Sequence, residues 1–319
     1  MRHRLARLRR LLDRLGPLLA LIVMCVGLSI ANRHFSSPEN IIMILSQIAC
    51  VSVLAVGETM VIIAGAIDLS VGSVLALCGV TAALLMTHGA NIWLAMVAAL
   101  AFGGFCGLIS GLLSTYGRLP SFIATLGMMG MARGFALILT GGLNVFGLPP
   151  QFKSFASTTV VGIPLLVVIA AVVAIIAHIV LSRMAFGRAA YAIGGNAEAA
   201  RLSGIPVNRA VTSLFVIAGF LSALAGLVLV MRLRESAPPT AGQGYELDAI
   251  AASVIGGASL MGGQGGIPGT MVGAAIMGVL RNGCDLMGVS PFWQQVAIGA
   301  IIIAAVFYDR LRRVGKLRA

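Results

Sequence analysis

Apolar residues come in long runs along this chain, separated by short polar or glycine-rich breaks. The runs fall near Leu18–Ala31, Ile41–Ile63, Ser70–Thr87, Ile92–Leu113, Pro120–Thr140, Gly162–Leu181, Ala210–Met231, Leu247–Leu260, Ile267–Leu286 and Phe292–Phe307. About 20 mostly apolar residues in a helix cross the hydrocarbon core of a bilayer, so the pattern predicts an all-α integral membrane protein of about ten transmembrane helices. The first and eighth runs are short, and 247–260 reads either as a span or as a re-entrant segment. The first run also has the outline of a secretory signal, with Ser29-Ile30-Ala31 at cleavage spacing. A multispan chain needs that segment to fix its N-terminus, so it reads as an uncleaved first span.

Charge sets the orientation. Sixteen of the 22 lysines and arginines fall in the segments that alternate with the N-terminus, and four fall on the other side. Arg133 and Arg281 lie within spans. Basic loops stay in the cytosol, so both termini are expected there. The chain then reads as a single domain, 1–319, with a basic N-terminus at 1–17, a cytoplasmic loop at 183–209 and a basic C-terminus at 309–319.

Composition narrows the function. The chain is 59% hydrophobic and only 10% charged, too few charges to cover a soluble surface. The net charge of +12 sits at the ends of apolar runs, and aromatic residues make up 6%, which excludes a nucleic-acid surface. The five cysteines and four histidines are scattered, giving neither a disulfide framework nor a metal site. No nucleophile–base constellation marks a catalytic centre, and no Gly-Lys-Ser/Thr phosphate cradle follows any glycine-rich stretch. No cofactor is expected.

Three segments do not read as lipid-facing helix. Gly65-Ala66-Ile67-Asp68-Leu69-Ser70-Val71-Gly72-Ser73 puts an acid beside the hydrocarbon region. Either Asp68 or Ser70 caps the next helix, or Asp68 faces a solute pathway. Pro238–Ile250 is an external loop followed by a helix with Glu246 and Asp248 in its first turn, where acids favour the helix dipole. Gly262–Gly269 downstream makes a cytoplasmic turn or a re-entrant bend. The third segment is the loop 183–209, where Asn196 caps a helix over Ala197–Leu202 that Gly204 and Pro206 end. It is either a rigid cytosolic contact or an interfacial amphipathic helix. Among smaller features, Arg133 is a pathway residue or a snorkelling one. Arg281 and Asp285, four residues apart, read as a pair. Gly103, Gly107 and Gly111 mark a close helix contact within or between subunits. Glu58 lies deep in its span without a partner in the sequence.

Together the strings are more specific than any one of them. Ala66-Ile67-Asp68-Leu69-Ser70-Val71-Gly72-Ser73, Phe122-Ile123-Ala124-Thr125-Leu126, the Gly194–Ile205 loop, and Pro239-Thr240-Ala241-Gly242 followed by Gly244-Tyr245-Glu246-Leu247-Asp248-Ala249-Ile250-Ala251-Ala252 carry a resemblance over nearly the whole chain. The chain resembles the membrane permease subunit of bacterial ATP-binding-cassette importers for monosaccharides, the ribose-type branch. One departure is Ala66, where the family often has glycine; it stiffens the bend slightly.

The resemblance implies an inner-membrane transport subunit without its own ATP site. It implies a second permease subunit (a homodimer and a heterodimer are equally open), a cytosolic ATPase and a periplasmic sugar-binding protein. It points to Asp68, Ser70, Phe122, Thr125, Arg133, Glu246 and Asp248 as candidates for the translocation pathway. Asn196, Glu198, Arg201, Leu202 and Gly204 are the candidates for contact with the ATPase. The rival from another class is a stand-alone ion-coupled secondary transporter, which calls for inverted repeats with interrupted helices; only a weak repeat is visible.

Overall fold

The computed structural model describes the backbone of residues 2–317 and the side chains of residues 16–304 and 307. The basic side chains expected at the two cytosolic termini, from Arg2 to Arg14 and from Arg310 to Arg318, lie outside the described residues.

Thirteen helices are described: α1 (Arg2–Ala31), α2 (Pro38–Ile63), α3 (Val71–Thr87), α4 (Ile92–Thr115), α5 (Ser121–Thr140), α6 (Pro150–Ala156), α7 (Leu165–Arg183), α8 (Ala185–Gly195), α9 (Ala197–Leu202), α10 (Val207–Leu233), α11 (Tyr245–Ile255), α12 (Ile267–Leu286) and α13 (Pro291–Leu317). Each of the expected apolar runs falls on one of them. Among the described residues, five helices, α2, α4, α5, α7 and α10, are long and apolar enough to cross a membrane; shorter apolar stretches occupy Gly16–Ala31, Val71–Thr87 and Pro291–Ala304. Ser37 accepts from the Asn40 N–H to cap α2, and Asn91 does the same for α4 through Trp93.

α2 and α10 form the buried centre. One core joins them to α3, α7, α11 and α12, and a second joins α10 to α3, α4, α5 and α6. Close approach comes from glycine. A Cβ on Gly107 of α4 would strike the Phe215 carbonyl of α10, and Gly103 and Gly111 meet Gly219 and Thr212 in the same way. The glycine steps of α4 are therefore a contact inside the chain. Backbone Cα atoms at this range gain dispersion that larger residues would prevent.

The two ends of the bundle differ in structure. On the expected outer side, β1 (Val145–Phe146) pairs antiparallel with β4 (Ser236–Ala237), and Asn32 Nδ2 donates to Leu286 O at 3.2 Å. That side also holds α6 and a small hairpin of β2 (Thr159–Val160) and β3 (Ile163–Pro164), neither of which the apolar pattern foretold. On the cytosolic side, the Gly263 N–H donates to Ile63 O at 2.8 Å.

Candidate translocation and coupling site

Two helices of the bundle start inside it. After α2 ends at Ile63, residues 64–70 turn back into the protein rather than cross its surface. Gly65 makes the reversal at φ 82°. The chain then climbs the first turn of α5: the Ile67 N–H donates to Ser121 Oγ at 3.3 Å and the Leu69 N–H to Thr125 Oγ1 at 3.1 Å. The Asp68 N–H reaches Glu58 Oε1 at 3.2 Å. Glu58 stands five residues before the end of α2, so the chain has re-entered by about 7 Å. Asp68 Oδ1 accepts from both the N–H and the hydroxyl of Ser70, at 2.9 and 2.6 Å, and this turn aims α3 outward. Neither side chain caps the first turn of α3 directly; Asp68 fixes Ser70, and Ser70 begins the helix.

α11 is the counterpart from the other side. Its eleven residues are about 16 Å long, half a bilayer, so the eighth apolar run is a half-helix, and the loop that dips in before it covers the rest of the crossing. The loop before it dips into the protein, and Gly242 and Gly244 supply the left-handed turns at φ 67° and 82°. The start of α11 meets the start of α3: a Cβ on Gly72 would strike both Glu246 Oε2 and the Gly242 carbonyl. Glu246 is thereby held at the N-terminal end of two helices, where a carboxylate is favoured by their dipoles.

Two arginines pin this arrangement. Arg133 Nη1, from α5, donates to the carbonyls of Pro239 and Ala241 at 2.6 and 2.9 Å and lies within electrostatic range of Glu246. Beside its two open readings, a pathway residue or a snorkelling one, Arg133 is seen here as a clamp on the descending loop. Arg281 Nη2, from α12, reaches Asp248 Oδ2 at 2.6 Å, and its guanidinium lies 5.8 Å from the centre of the Tyr245 ring. The expected Arg281–Asp285 pair does not form; Asp285 accepts instead from Gln294 Nε2 at 2.8 Å. Two steps along α11 put Asp248 on the face opposite Glu246, so these acids separate. Lower down, Thr59 of α2 bonds Ser253 of α11 and Thr270 of α12 at 2.8 and 2.7 Å.

The structure thus gathers Asp68, Ser70 and Thr125 at one break and Arg133 and Glu246 at the other, with Phe122 exposed on α5 beside them. Asp248 is buried in its ion pair. Glu58, which the sequence left without a partner, belongs to the first break; its Oε2 has no hydrogen-bond partner among the described residues. Nothing short of the fold announces that contact, because the two residues meet only when the chain re-enters. The outward face of α5 is open: a Cβ on Gly127, Gly130 or Gly134 would meet nothing within 4 Å.

In the cytosolic loop, Asn196 Oδ1 accepts from the Ala199 N–H at 2.9 Å and caps α9 over the residues that the sequence marks. Glu198 and Arg201 pair at 2.6 Å in the open. Leu202 is 78% exposed, high for a leucine, and Gly204 leaves the helix at φ 82°. Ahead of α9 stands α8, an amphipathic helix that the apolar-run pattern passes over because its buried residues are mostly small.

Comparison with known proteins gives the family of the chain. Residues 40–306 match the family described as branched-chain amino acid transport system / permease component. The chain is 44% identical to the ribose import permease protein of Bacillus subtilis (strain 168), over 94% of this chain and 93% of that one. It is 39% identical to the D-allose transport system permease protein of Escherichia coli (strain K12), over 92% and 90%. It is 34% identical to the L-arabinose ABC transporter permease protein of Azospirillum brasilense, over 95% and 89%. No solved structure matches.

Proposed function

Since the chain belongs to the branched-chain amino acid transport system / permease component family, we propose that it is the membrane-spanning subunit of an ATP-binding-cassette importer and carries a monosaccharide, a pentose or hexose, inward across the bacterial inner membrane. The whole chain acts as one permease domain, 1–319. The observation that carries the reading is the meeting of α3 and α11 inside the bundle at Gly72 and Glu246. Interrupted helices bring polar backbone and a carboxylate to membrane depth, which lipid tolerates only where they line a path or are covered by protein. Sugar hydroxyls need such donors and acceptors.

Energy comes from a separate cytosolic ATPase that seats on α9, and a periplasmic binding protein delivers the sugar to the side of β1, β4 and α6. The open α5 face, with Phe122 and the three glycines, receives a second permease subunit, so the path runs between Asp68, Ser70, Thr125, Arg133 and Glu246 and the partner. The similarity to ribose, allose and arabinose permeases supports a small sugar as cargo. The test is reconstitution in liposomes with labelled pentoses and hexoses. The chain alone should give no concentrative uptake; ATPase, ATP and sugar-loaded binding protein together should give it. Ion-driven accumulation by the chain alone would identify a secondary transporter instead.

A further inference from the structure

Three glycine-rich stretches from distant parts of the chain meet at the cytosolic end of α2. The carbonyl of Ile63, the last residue of that helix, accepts from the Gly263 N–H at 2.8 Å. Gly194, in the last turn of α8, lies so close that a Cβ there would strike the same carbonyl and stand 2.5 Å from the Gly263 nitrogen. A Cβ on Gly262 would lie 2.7 Å from Gly194 O and 3.0 Å from Gly65 Cα; one on Gly263 would lie 3.1 Å from Gly195 Cα. One turn earlier in α8, the Tyr191 hydroxyl donates to Gly265 O at 2.9 Å.

Apart from the Tyr191 bond, these are backbone-to-backbone contacts, with no side chain between them to change rotamer and absorb a displacement. Close-packed elements transmit small shifts as rigid bodies. The junction also has three exits that matter. α9 begins two residues beyond Gly195, the base of the half-helix α11 leads into Gly262–Gly265, and Gly65 opens the break that holds Asp68.

We propose that Tyr191, Gly194 and Gly263 are positioning residues that form a rigid strut, through which movement of α9 reaches the base of α11 and the break between α2 and α3. The proposal rests on the reading of α9 as the ATPase seat. α11 is short and not continuous with any span, so a push at its base tilts its other end, where Glu246 meets Gly72. One cytosolic contact thereby acts on both breaks at once.

The test uses the complete complex in liposomes. Tyr191→Phe keeps the ring and removes the bond to Gly265, and Gly194→Ala wedges the junction apart. For Tyr191→Phe, the ATPase should co-purify as in the wild type and basal hydrolysis should persist. Stimulation by sugar-loaded binding protein, and uptake with it, should fall roughly threefold to tenfold, the worth of one lost hydrogen bond. A short bifunctional maleimide joining Gly195→Cys to Gln264→Cys should leave transport intact in an otherwise wild-type chain and restore it in the Tyr191→Phe background; a merely structural loss would not be rescued. If Gly194→Ala does not fold, Tyr191→Phe with the cross-link decides alone. Normal stimulation and uptake in Tyr191→Phe, or a cross-link that blocks transport by itself, overturns the strut. If in that case Leu202→Ala still releases the ATPase, only the strut has failed. If Leu202→Ala keeps both the ATPase and transport, the reading of α9 fails and the strut falls with it.

Discussion

Asp68 and Asp248 are equally buried, each 1% exposed, yet they hold different positions in the protein. Asp68 is satisfied by Ser70 within its own turn, with Glu58 beside it and no cation bonded to it among the described residues. Asp248 is neutralised by Arg281. Asp68→Asn keeps the oxygen that Ser70 needs, so it should express at wild-type yield while uptake and sugar-stimulated ATP hydrolysis change. A lower yield with normal specific transport would make Asp68 a folding residue. Arg281→Met strands a buried carboxylate and should cost about 3–5 kcal/mol, read as a lower Tm in detergent, whereas Asp248→Leu with Arg281→Met should recover most of it. The sequence showed the acids but not which of them has a counter-ion. Arg281 is four residues from Asp285 and 33 from Asp248, and spacing along one helix says nothing about a facing one.

At the scale of elements, α9 was legible in full. Its cap, its end signals and its charges are local, and six residues at the expected bounds followed from them. The hydrogen bond from Arg201 holds the Glu198 carboxyl below its ordinary range. That pair is intact at neutral pH and is lost only as pH falls through the lowered value, so it stiffens α9 without contributing much to docking from open water. If α9 is the ATPase seat as proposed, the exposed Leu202 is its anchor. Leu202→Ala should weaken ATPase association by about 2 kcal/mol, Arg201→Ala by much less, and Gly204→Val should uncouple hydrolysis from transport by misdirecting the exit of α9. Co-purification of the ATPase, with uptake alongside, checks all three; unchanged behaviour in each would make the loop a connector. α11 was only half legible. Its apolar content marked 247–260, but composition does not distinguish a half-helix from a span when the next residues are also apolar or glycine.

At the scale of the whole molecule, the described residues bury one side of α5 and leave the other empty. Glycines on a face that meets nothing among the described residues contribute no packing there, yet they lower helix propensity. A second permease subunit on this face gives them a role. Gly130→Phe should therefore fold and express normally, since the ring has open space, but should prevent assembly of the permease pair and abolish uptake. Cross-linking of the pair in membranes, with and without the substitution, is the measurement; a fully assembled and active variant would leave the α5 face to lipid.

What the sequence determined by itself is what depends on the local price of leaving water: that the chain is an all-α membrane protein, which segments are long apolar helices, and where the capped loop helix begins and ends. Those are sums over neighbours in the chain, and hydropathy and cap residues record them directly. The tertiary structure decided where the chain turns back. That Glu58 meets Asp68 depends on the chain reversing within ten residues; that Gly72 lies against Glu246, that Arg133 holds the loop before α11 and that Gly194 touches Ile63 depend on segments approaching from distant parts of the sequence. Glycine permits the closest of these approaches without naming its partner, and only the packed bundle supplies one.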